Sequence, residues 1–278
     1  MEEICKPLCR GPLSLFRPLR ELAYAFGLPR GRFAVVRRRD CPCFMLVDLR
    51  DPYGVGVLKR GRIESPEDRF VKRILKRGAR VFDVGAHWGG FSLLFAHLVG
   101  PEGAVFSFEP FPKNYRMLVR NLRLNRFEDR TKTFPYAVSD RPGTLTLKVA
   151  STSSGHHSVV RRDLPSEGEV KVKAVSLDGI WDGAPVDLLK VDVEGYERFV
   201  LEGAIRLVEG SPDLWLFVEV SPRFSGREEF RRLVDLLKEY FEKPFVGHEK
   251  RFVRMDWEEA VKLTEEKGQR NWFLRRKR

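Results

Sequence analysis

The 278-residue sequence has no run of 18 or more apolar residues. A chain without such a run is not expected to form a transmembrane helix. The first residues, Met1–Pro7, also lack the apolar core that a signal peptide needs. We therefore expect a cytoplasmic protein that does not contact a membrane.

Cysteines are few, and all four lie in the first 43 residues, as Cys5, Cys9, Cys41 and Cys43. Their C-x3-C and C-x-C spacings differ from the two C-x2-C pairs that are usual in a four-thiolate zinc site. Free buried thiols, one or two disulfides, and a bound metal all remain possible for them. Because the cysteines lie outside the motifs described next, we expect no chemical role for them, and no metal is predicted.

The sequence also lacks the G-x-G-x-x-G fingerprint of dinucleotide-binding sheets. Instead, an apolar strand ends in Asp83, followed by a turn with Gly85 and Gly89 and by an amphipathic helix. The next predicted strand ends in Glu109, 24 residues after Gly85. Such a turn lets the backbone approach a ligand, and the acid after the second strand can accept hydrogen bonds from ribose. Asp83 would repel a pyrophosphate but suits the cationic amino-acid end of S-adenosylmethionine.

Predicted strands and helices alternate from residue 80 onward, which is typical of a mainly parallel sheet with helices on both faces. Strands are predicted near 80–84, 104–109, 132–138, 186–191 and 214–219, and helices near 90–98, 112–125, 196–208 and 226–238. An excursion of two strands, 144–149 and 170–175, lies between the third and fourth strands. Strands within 245–254 and a helix over 257–266 close the chain.

Residues 1–64 are predicted to be a basic, cysteine-containing extension. It would contain a helix over 13–26 and a hairpin over 44–58 with its turn at Asp51–Gly54. Ser65 followed by Pro66 marks the start of a helix. We therefore predict a catalytic domain over 65–247, and a strand, a helix and a basic tail over 248–278.

Basic residues exceed acidic ones, and the formal net charge is +12. The excess is concentrated: residues 58–80 hold nine lysines and arginines against three acids, and residues 267–278 hold six and no acid. Such a surface attracts polyanions, which favours RNA as a partner, although a solvated surface of a charge-rich protein is the alternative. No obligate protein partner is predicted.

Several motifs together resemble the FkbM-type methyltransferases, which use S-adenosylmethionine. The similar segments are 82–87; 108–114 with 122–125; 137–140 with Gly143; and 189–197 with 200–204. The resemblance implies a Rossmann-like class I methyltransferase fold and acceptors that are usually hydroxyl groups. One difference is His87, where the family more often has asparagine.

The resemblance also implies roles for single residues. Asp83 and Gly85 would border the methionine part of S-adenosylmethionine, Glu109 would bind its ribose, and Ala137 would face its adenine. His87 and Gly89 belong to the same cofactor-binding turn, and Asp192 would lie near the reacting methyl group.

Catalysis is assigned to Asp192, Glu194 and a loop histidine, His156, with His157 as the alternative. Lys190, Asp192 and Glu194 alternate in an extended run and are expected to share one face. An acid at the end of an apolar central strand is costly unless it is used, which favours a functional role for Asp192. Glu219 also falls at a predicted strand end, and a divalent ion between Asp192 and Glu219 is an option that we leave open.

Three functions are compatible with these observations. On charge alone, the first hypothesis is an RNA methyltransferase acting on a base or ribose. The second is an O-methyltransferase that acts on a hydroxyl of a small molecule or glycan. The third is a non-catalytic RNA-binding protein that keeps the same fold.

Overall fold

The computed structural model describes residues 31–61, 66–150, 154, 157–159, 166–249 and 251–278. The strands are β1 (Phe33–Arg37), β2 (Phe44–Asp48), β3 (Arg80–Val84), β4 (Ala104–Phe108), β5 (Thr131–Phe134), β6 (Ala137–Val138), β7 (Gly143–Ala150), β8 (Ser166–Val175), β9 (Leu188–Val191), β10 (Trp215–Val220), β11 (Phe245–His248), β12 (Arg251–Arg254) and β13 (Arg270–Arg275). The helices are α1 (Pro52–Arg60), α2 (Glu67–Ile74), α3 (Gly90–Val99), α4 (Pro112–Leu124), α5 (Leu177–Ile180), α6 (Glu197–Glu202), α7 (Ile205–Glu209), α8 (Pro222–Ser225), α9 (Arg227–Tyr240) and α10 (Trp257–Lys267).

Within the described residues, eight strands form a central sheet in the order β12-β11-β13-β10-β9-β3-β4-β5. The strands from β10 to β5 run parallel, whereas β13, β11 and β12 add antiparallel pairs at one side. Every residue of β9 is buried, as expected of a parallel strand covered on both faces. The predicted α/β class with a mainly parallel sheet is confirmed.

The strand order reverses beside β3, because the chain first builds β4 and β5 on one side and later β9 and β10 on the other. In an open sheet of this kind, a crevice forms beyond the carboxyl ends of the strands at the reversal. The central sheet therefore places its crevice between the ends of β3, β4, β9 and β10.

A second sheet of three strands, β6-β8-β7, contains the predicted excursion. The predicted strand over 132–138 is split: β5 stays in the central sheet, and Ala137 and Val138 pair with β8 instead. Pro135 lies between the two pieces and has no N–H to donate, which favours a break there.

The predicted hairpin over 44–58 is wrong in its second half. β2 pairs with β1 instead, and residues 52–60 form helix α1. Asp51 caps this helix by accepting a hydrogen bond from the backbone N–H of Tyr53 at 2.9 Å, and Pro52 occupies the first turn. Asp-Pro is therefore a helix start here rather than a hairpin turn. The predicted helix over 13–26 lies outside the described residues.

The predicted basic tail is also different in the structure. Residues 270–275 form β13, which lies between β10 and β11 in the central sheet. Trp272, Phe273 and Leu274 are buried there, so this segment contributes to the core. The sequence predicted a basic tail here because charged residues flank the apolar centre of this strand.

The two-stranded sheet β1-β2 is held against helix α4 by two asparagines. The side-chain amide of Asn121 exchanges hydrogen bonds with the backbone of Leu46, at 2.6 and 3.1 Å. Asn125 does the same with the backbone of Phe44, with both distances 2.7 Å. Asn121 and Asn125 are four residues apart on a helix, a rise of about 6 Å, and Phe44 and Leu46 are two residues apart on a strand, a rise of about 6.7 Å. The two amides are therefore spaced to bond alternate residues along the edge of β2.

Two of the four cysteines belong to the described residues, and both of these, Cys41 and Cys43, are free and buried. Cys5 and Cys9 lie outside the described residues. Among the helices in the described ranges, none has the length and apolar character needed to cross a bilayer.

Candidate active site

A cavity of about 300 Å³ opens beyond the carboxyl ends of the parallel strands. Its volume lies at the lower end of the range of small-molecule sites, about 300–1,000 Å³. Its polar lining comes from different strand ends and from the loop after β7: Gly85, His87, Glu109, Tyr136, Ser154, His157, Lys190, Asp192, Glu194, Glu219 and Gln269. The strand order thus brings most of the predicted site residues together.

Glu109 forms one side of the cavity, directly after β4. One carboxylate oxygen accepts a hydrogen bond from the backbone N–H of His87 at 2.8 Å, and the other from Phe111 at 2.9 Å. Burial raises the pKa of Glu109 to about 7, and these two backbone bonds only partly oppose the shift. The Asn114 side chain donates a third hydrogen bond to this carboxylate, so a ligand hydroxyl would use the lone-pair position that remains.

His87 occupies the centre of the turn with a positive φ of 52°. Its ring stacks on Trp88, and its Nε2 lies 2.7 Å from the Oγ of Ser154. Asparagine and histidine are both enriched in the left-handed region among residues other than glycine. The family preference for asparagine and the histidine found here therefore meet the same backbone requirement.

Two glycines have different roles in this turn. Gly85 lines the cavity, and a Cβ there would overlap the carbonyl oxygen of Asp192, so only glycine allows β3 and β9 to end so close together. Gly89 does not line the cavity. It begins helix α3 with φ 85°, and a Cβ there would press on Leu118.

Asp83 is fully buried and does not line the cavity. Its Oδ2 accepts a hydrogen bond from the Oγ of Ser92 at 2.5 Å. Its Oδ1 lies 3.4 Å from the Nζ of Lys190, which in turn lies 3.3 Å from Asp192 Oδ2 and 3.3 Å from the carbonyl oxygen of Gly85. Asp83 thus acts on the cavity through Lys190, and the predicted direct contact with a cofactor does not fit its position.

Three carboxylates that line the cavity converge after β9 and in β10. One oxygen each of Asp192, Glu194 and Glu219 lies within 4.8 Å of the others. Burial raises the pKa of Glu219 well above its ordinary value, and the nearby charges of Asp192 and Glu194 raise it further. Its Oε1 accepts a hydrogen bond from Gln269.

The turn that carries Glu194 is held by Glu197. A single carboxylate oxygen of Glu197 accepts backbone hydrogen bonds from Val193 at 3.2 Å and Gly195 at 3.0 Å. Glu194 itself has φ 57°, and its carbonyl oxygen accepts a bond from the Oγ of Ser158 at 2.8 Å. The backbone around Glu194 is therefore fixed on both sides.

Among the described residues of the loop after β7, Ser154, His157 and Val159 line the cavity. Ser154 contacts His87, and its backbone N–H donates to Asp51 at 2.8 Å. His157 lines the cavity, packs edge-on against Phe111, and accepts a bond from the N–H of Ala150. His156, the histidine assigned to catalysis from the sequence, lies outside the described residues.

Lys190 and Glu219 also line the cavity, although the sequence assigned neither a catalytic nor a cofactor-binding role to them and only left open an ion between Asp192 and Glu219; His157 was named as the alternative to His156. The signal for the first two was present, since each is a charged residue within an otherwise apolar strand. For His157 the sequence offered only its place in a loop, which does not separate it from His156.

The geometry can now be compared with known proteins. A family model described as the methyltransferase FkbM domain matches residues 83–243. The chain belongs to the FkbM methyltransferase family. The matched region is an S-adenosylmethionine-dependent methyltransferase domain of the α/β class.

Two curated relatives share about a third of the aligned residues. The 31-O-demethyl-FK506 methyltransferase FkbM of Streptomyces tacrolimicus is 33% identical over 160 residues, which is 46% of this chain and 60% of that protein. The methyltransferase sdnD of Sordaria araneosa is 32% identical over 154 residues, which is 44% of this chain and 59% of that protein. The matched region thus covers about 60% of the length of each of these two relatives.

A solved structure of a methyltransferase FkbM from Methylobacillus flagellatus is also similar. It is 15% identical with a TM-score of 0.45, and the alignment covers 74% of this chain and 50% of that one.

The residues of the cavity fit S-adenosylmethionine. Glycine at position 85 lets the ends of β3 and β9 approach each other at the cavity wall, and Glu109 offers a buried carboxylate that can accept a hydrogen bond from a ribose hydroxyl. Tyr136 and Ala137 also line the cavity, and an adenine would lie against them. When bound, this cofactor supplies a methyl group on a positively charged sulfonium.

Proposed function

We propose that this FkbM-family protein is an S-adenosylmethionine-dependent O-methyltransferase whose acceptor is a hydroxyl of a small molecule without phosphate groups. The observation that carries the proposal is the carboxylate cluster of Asp192, Glu194 and Glu219 beside the cofactor cavity. A negatively charged acceptor site repels phosphates and attracts neutral or cationic molecules.

The cluster also suits hydroxyl chemistry. A hydroxyl must lose its proton on methylation, and a carboxylate within hydrogen-bond distance can take that proton. The side chain of Asp192 is about one-third exposed, so an acceptor hydroxyl can reach it. Glu194 and Glu219 flank it, and burial together with the neighbouring carboxylates raises the pKa of Glu219 and favours its protonated form, so Asp192 is the carboxylate that takes the proton.

The name of one relative agrees with this class of reaction. The Streptomyces tacrolimicus protein is named as the methyltransferase of a 31-O-demethyl compound, which describes O-methylation. That acceptor belongs to the relative. For this chain we take from it only the class of acceptor atom, a hydroxyl oxygen.

RNA is the second candidate, and the basic surface favours it. The formal charge of +12 remains an argument for polyanion binding. Not every basic residue contributes to that surface: Arg38 is buried, pairs with Asp40 and donates to the carbonyl of Gly90. The C-terminal basic residues belong to or flank a strand of the central sheet. The hypothesis of an RNA methyltransferase therefore depends on the remaining exposed lysines and arginines.

A transfer assay with methyl-labelled S-adenosylmethionine tests the proposal. The acceptors are a panel of catechols, glycosides and hydroxylated macrolactones, and in parallel total RNA that lacks modifications. We expect label in the small-molecule fraction and none in RNA. The third hypothesis, a non-catalytic RNA-binding protein, requires that calorimetry finds no S-adenosylmethionine binding.

The matched variants are Asp192→Asn in the cluster and Asp235→Asn on the exposed face of α9. Asp192→Asn should lower the transfer rate by about 10²- to 10⁴-fold, the usual contribution of a general base. Asp235→Asn should leave it unchanged. Label that appears in RNA alone, with salt-sensitive RNA retention, would overturn the small-molecule proposal in favour of the second candidate.

A further inference from the structure

Glu219 is the most unusual member of the carboxylate cluster. It lies in β10, near the centre of the sheet, and only 8% of the residue is exposed. Its Oε1 accepts a bond from Gln269, but its Oε2 has no hydrogen-bond partner among the described residues. A buried carboxylate oxygen without a partner is costly, because it has lost its water and gained nothing in return.

The position of the Glu219 carboxylate indicates what could satisfy it. Glu219 lines the cavity, and one of its oxygens lies within 4.8 Å of an oxygen of Asp192 and of Glu194. Two oxygens that bind the same calcium ion, each at about 2.3–2.6 Å, can lie up to about 5 Å apart. A single ion can therefore contact all three carboxylates with little movement of the side chains.

The ligand chemistry of the cluster favours a divalent occupant. Lys190 contacts the cluster at Asp192, and its ammonium group is shared with the fully buried Asp83. Glu194 and Glu219 add two more carboxylates on the cavity side. Carboxylate oxygens are the ligands that a hard divalent cation prefers, and one ion can bind several of them at once.

We propose that Asp192, Glu194 and Glu219 form a binding site for one hard divalent cation, Mg²⁺, Mn²⁺ or Ca²⁺. Such an ion prefers carboxylate oxygens and has six or more coordination positions, so positions facing the cavity stay available for water or for an oxygen of the acceptor. The role of the ion in methyl transfer rests on the proposed function: an acceptor hydroxyl bound to it loses its proton more readily, to a carboxylate of the same cluster. Binding of the ion does not depend on that role.

The test is a titration of the purified, chelator-treated full chain with Mn²⁺, followed by electron paramagnetic resonance without cofactor or acceptor. Free Mn²⁺ gives a six-line signal that weakens when the ion is bound. We expect one Mn²⁺ per chain, displaced by excess Mg²⁺ or Ca²⁺. Loss of methyl transfer in a separate assay would not affect this result, so the site and the proposed function fail independently.

Glu219→Gln keeps the shape and the contact partner Gln269 but removes the charge, and should weaken Mn²⁺ binding by at least about tenfold. Glu258→Gln in the first turn of α10 is the control, since Glu258 is exposed and does not line the cavity. Should Glu219→Gln fail to fold, as judged by circular dichroism, Glu194→Gln carries the test, because Glu194 is only half-buried. No loss of signal up to about 1 mM Mn²⁺, the weak end of protein sites, or equal binding in Glu219→Gln and wild type, overturns the proposal.

Discussion

Lys190 and Asp83 form an ion pair beneath the carboxyl end of the central sheet, with Nζ 3.4 Å from Oδ1. Their side chains are 2% and 0% exposed, so both charges have lost their water. Their strands, β9 and β3, are hydrogen-bonded neighbours, and the register places the two residues side by side. Asp83 thereby fixes the lysine whose ammonium group also contacts Asp192, at the edge of the cavity.

Replacing Lys190 by Met should lower the free energy of unfolding by about 3–5 kcal/mol, because it leaves Asp83 buried and unpaired. The double variant Lys190→Met with Asp83→Asn should be more stable than Lys190→Met alone, since asparagine can still accept the bond from Ser92 and carries no charge. Urea denaturation of the two single variants and the double variant measures the coupling. Equal stability of Lys190→Met and wild type would show that the pair is not electrostatically coupled.

S-Adenosylmethionine affinity should fall as the pH falls through about 7, the pKa to which burial raises Glu109. Ribose hydroxyls donate to the ionised carboxylate, so a proton on Glu109 competes with the cofactor. Below pH 7 the dissociation constant should rise by up to tenfold per pH unit. Calorimetry between pH 5.5 and 8.5 measures this.

Glu109→Gln is the matched control for that titration. It should bind the cofactor more weakly at pH 8 and lose the Glu109 part of the pH dependence, so the difference between the two curves reports on this one group. For stability the sign is opposite: a raised carboxyl pKa stabilises the folded state below about 4.5, and this contribution is lost as the pH rises through about 7. A parallel pH dependence in wild type and Glu109→Gln would contradict the assignment.

The central pattern of this fold was predictable from sequence because its signals are local. An apolar strand ending in Asp83 and a glycine turn predict β3 and the start of α3, and the acid at the end of β4 predicts the place of Glu109. One error arose where local signals are ambiguous. Asp51-Pro52 suits a turn and a helix start equally, and the choice depends on packing against β2.

The site was harder to predict because its interactions join residues that are distant in the chain. The sequence placed Asp83 at the cofactor, yet its partner Lys190 lies 107 positions later and takes up the charge that suggested the contact. Similarly, nothing local to Glu219 shows that it lies beside Asp192 and Glu194. Only the parallel register of β9 and β10 brings the three together.

Gly85→Ala should be severely destabilising, by more than about 3 kcal/mol, because a Cβ at that position would overlap the backbone of Asp192 and the φ of 78° disfavours alanine. Gly143→Ala is the control: a Cβ there meets nothing within 4 Å, and its φ is not in the left-handed region. We expect the control to change stability by no more than about 0.5 kcal/mol. Thermal unfolding of both variants tests this, and a folded, stable Gly85→Ala protein would show that β3 and β9 do not approach so closely.

Asn121→Leu should destabilise the protein and also weaken cofactor binding, because one side chain serves two neighbours. Its Nδ2 donates to the carbonyl oxygens of Leu46 at 3.1 Å and Trp88 at 2.8 Å, so it joins strand β2 to the glycine turn. Leucine has a similar size but leaves these buried groups unpaired, at about 1–3 kcal/mol each. Asn125→Leu should cost less, since Asn125 is only half-buried and water can replace its bonds. Urea denaturation with calorimetry of S-adenosylmethionine binding distinguishes the two variants, and equal losses in both would mean that Asn121 has no special link to the turn.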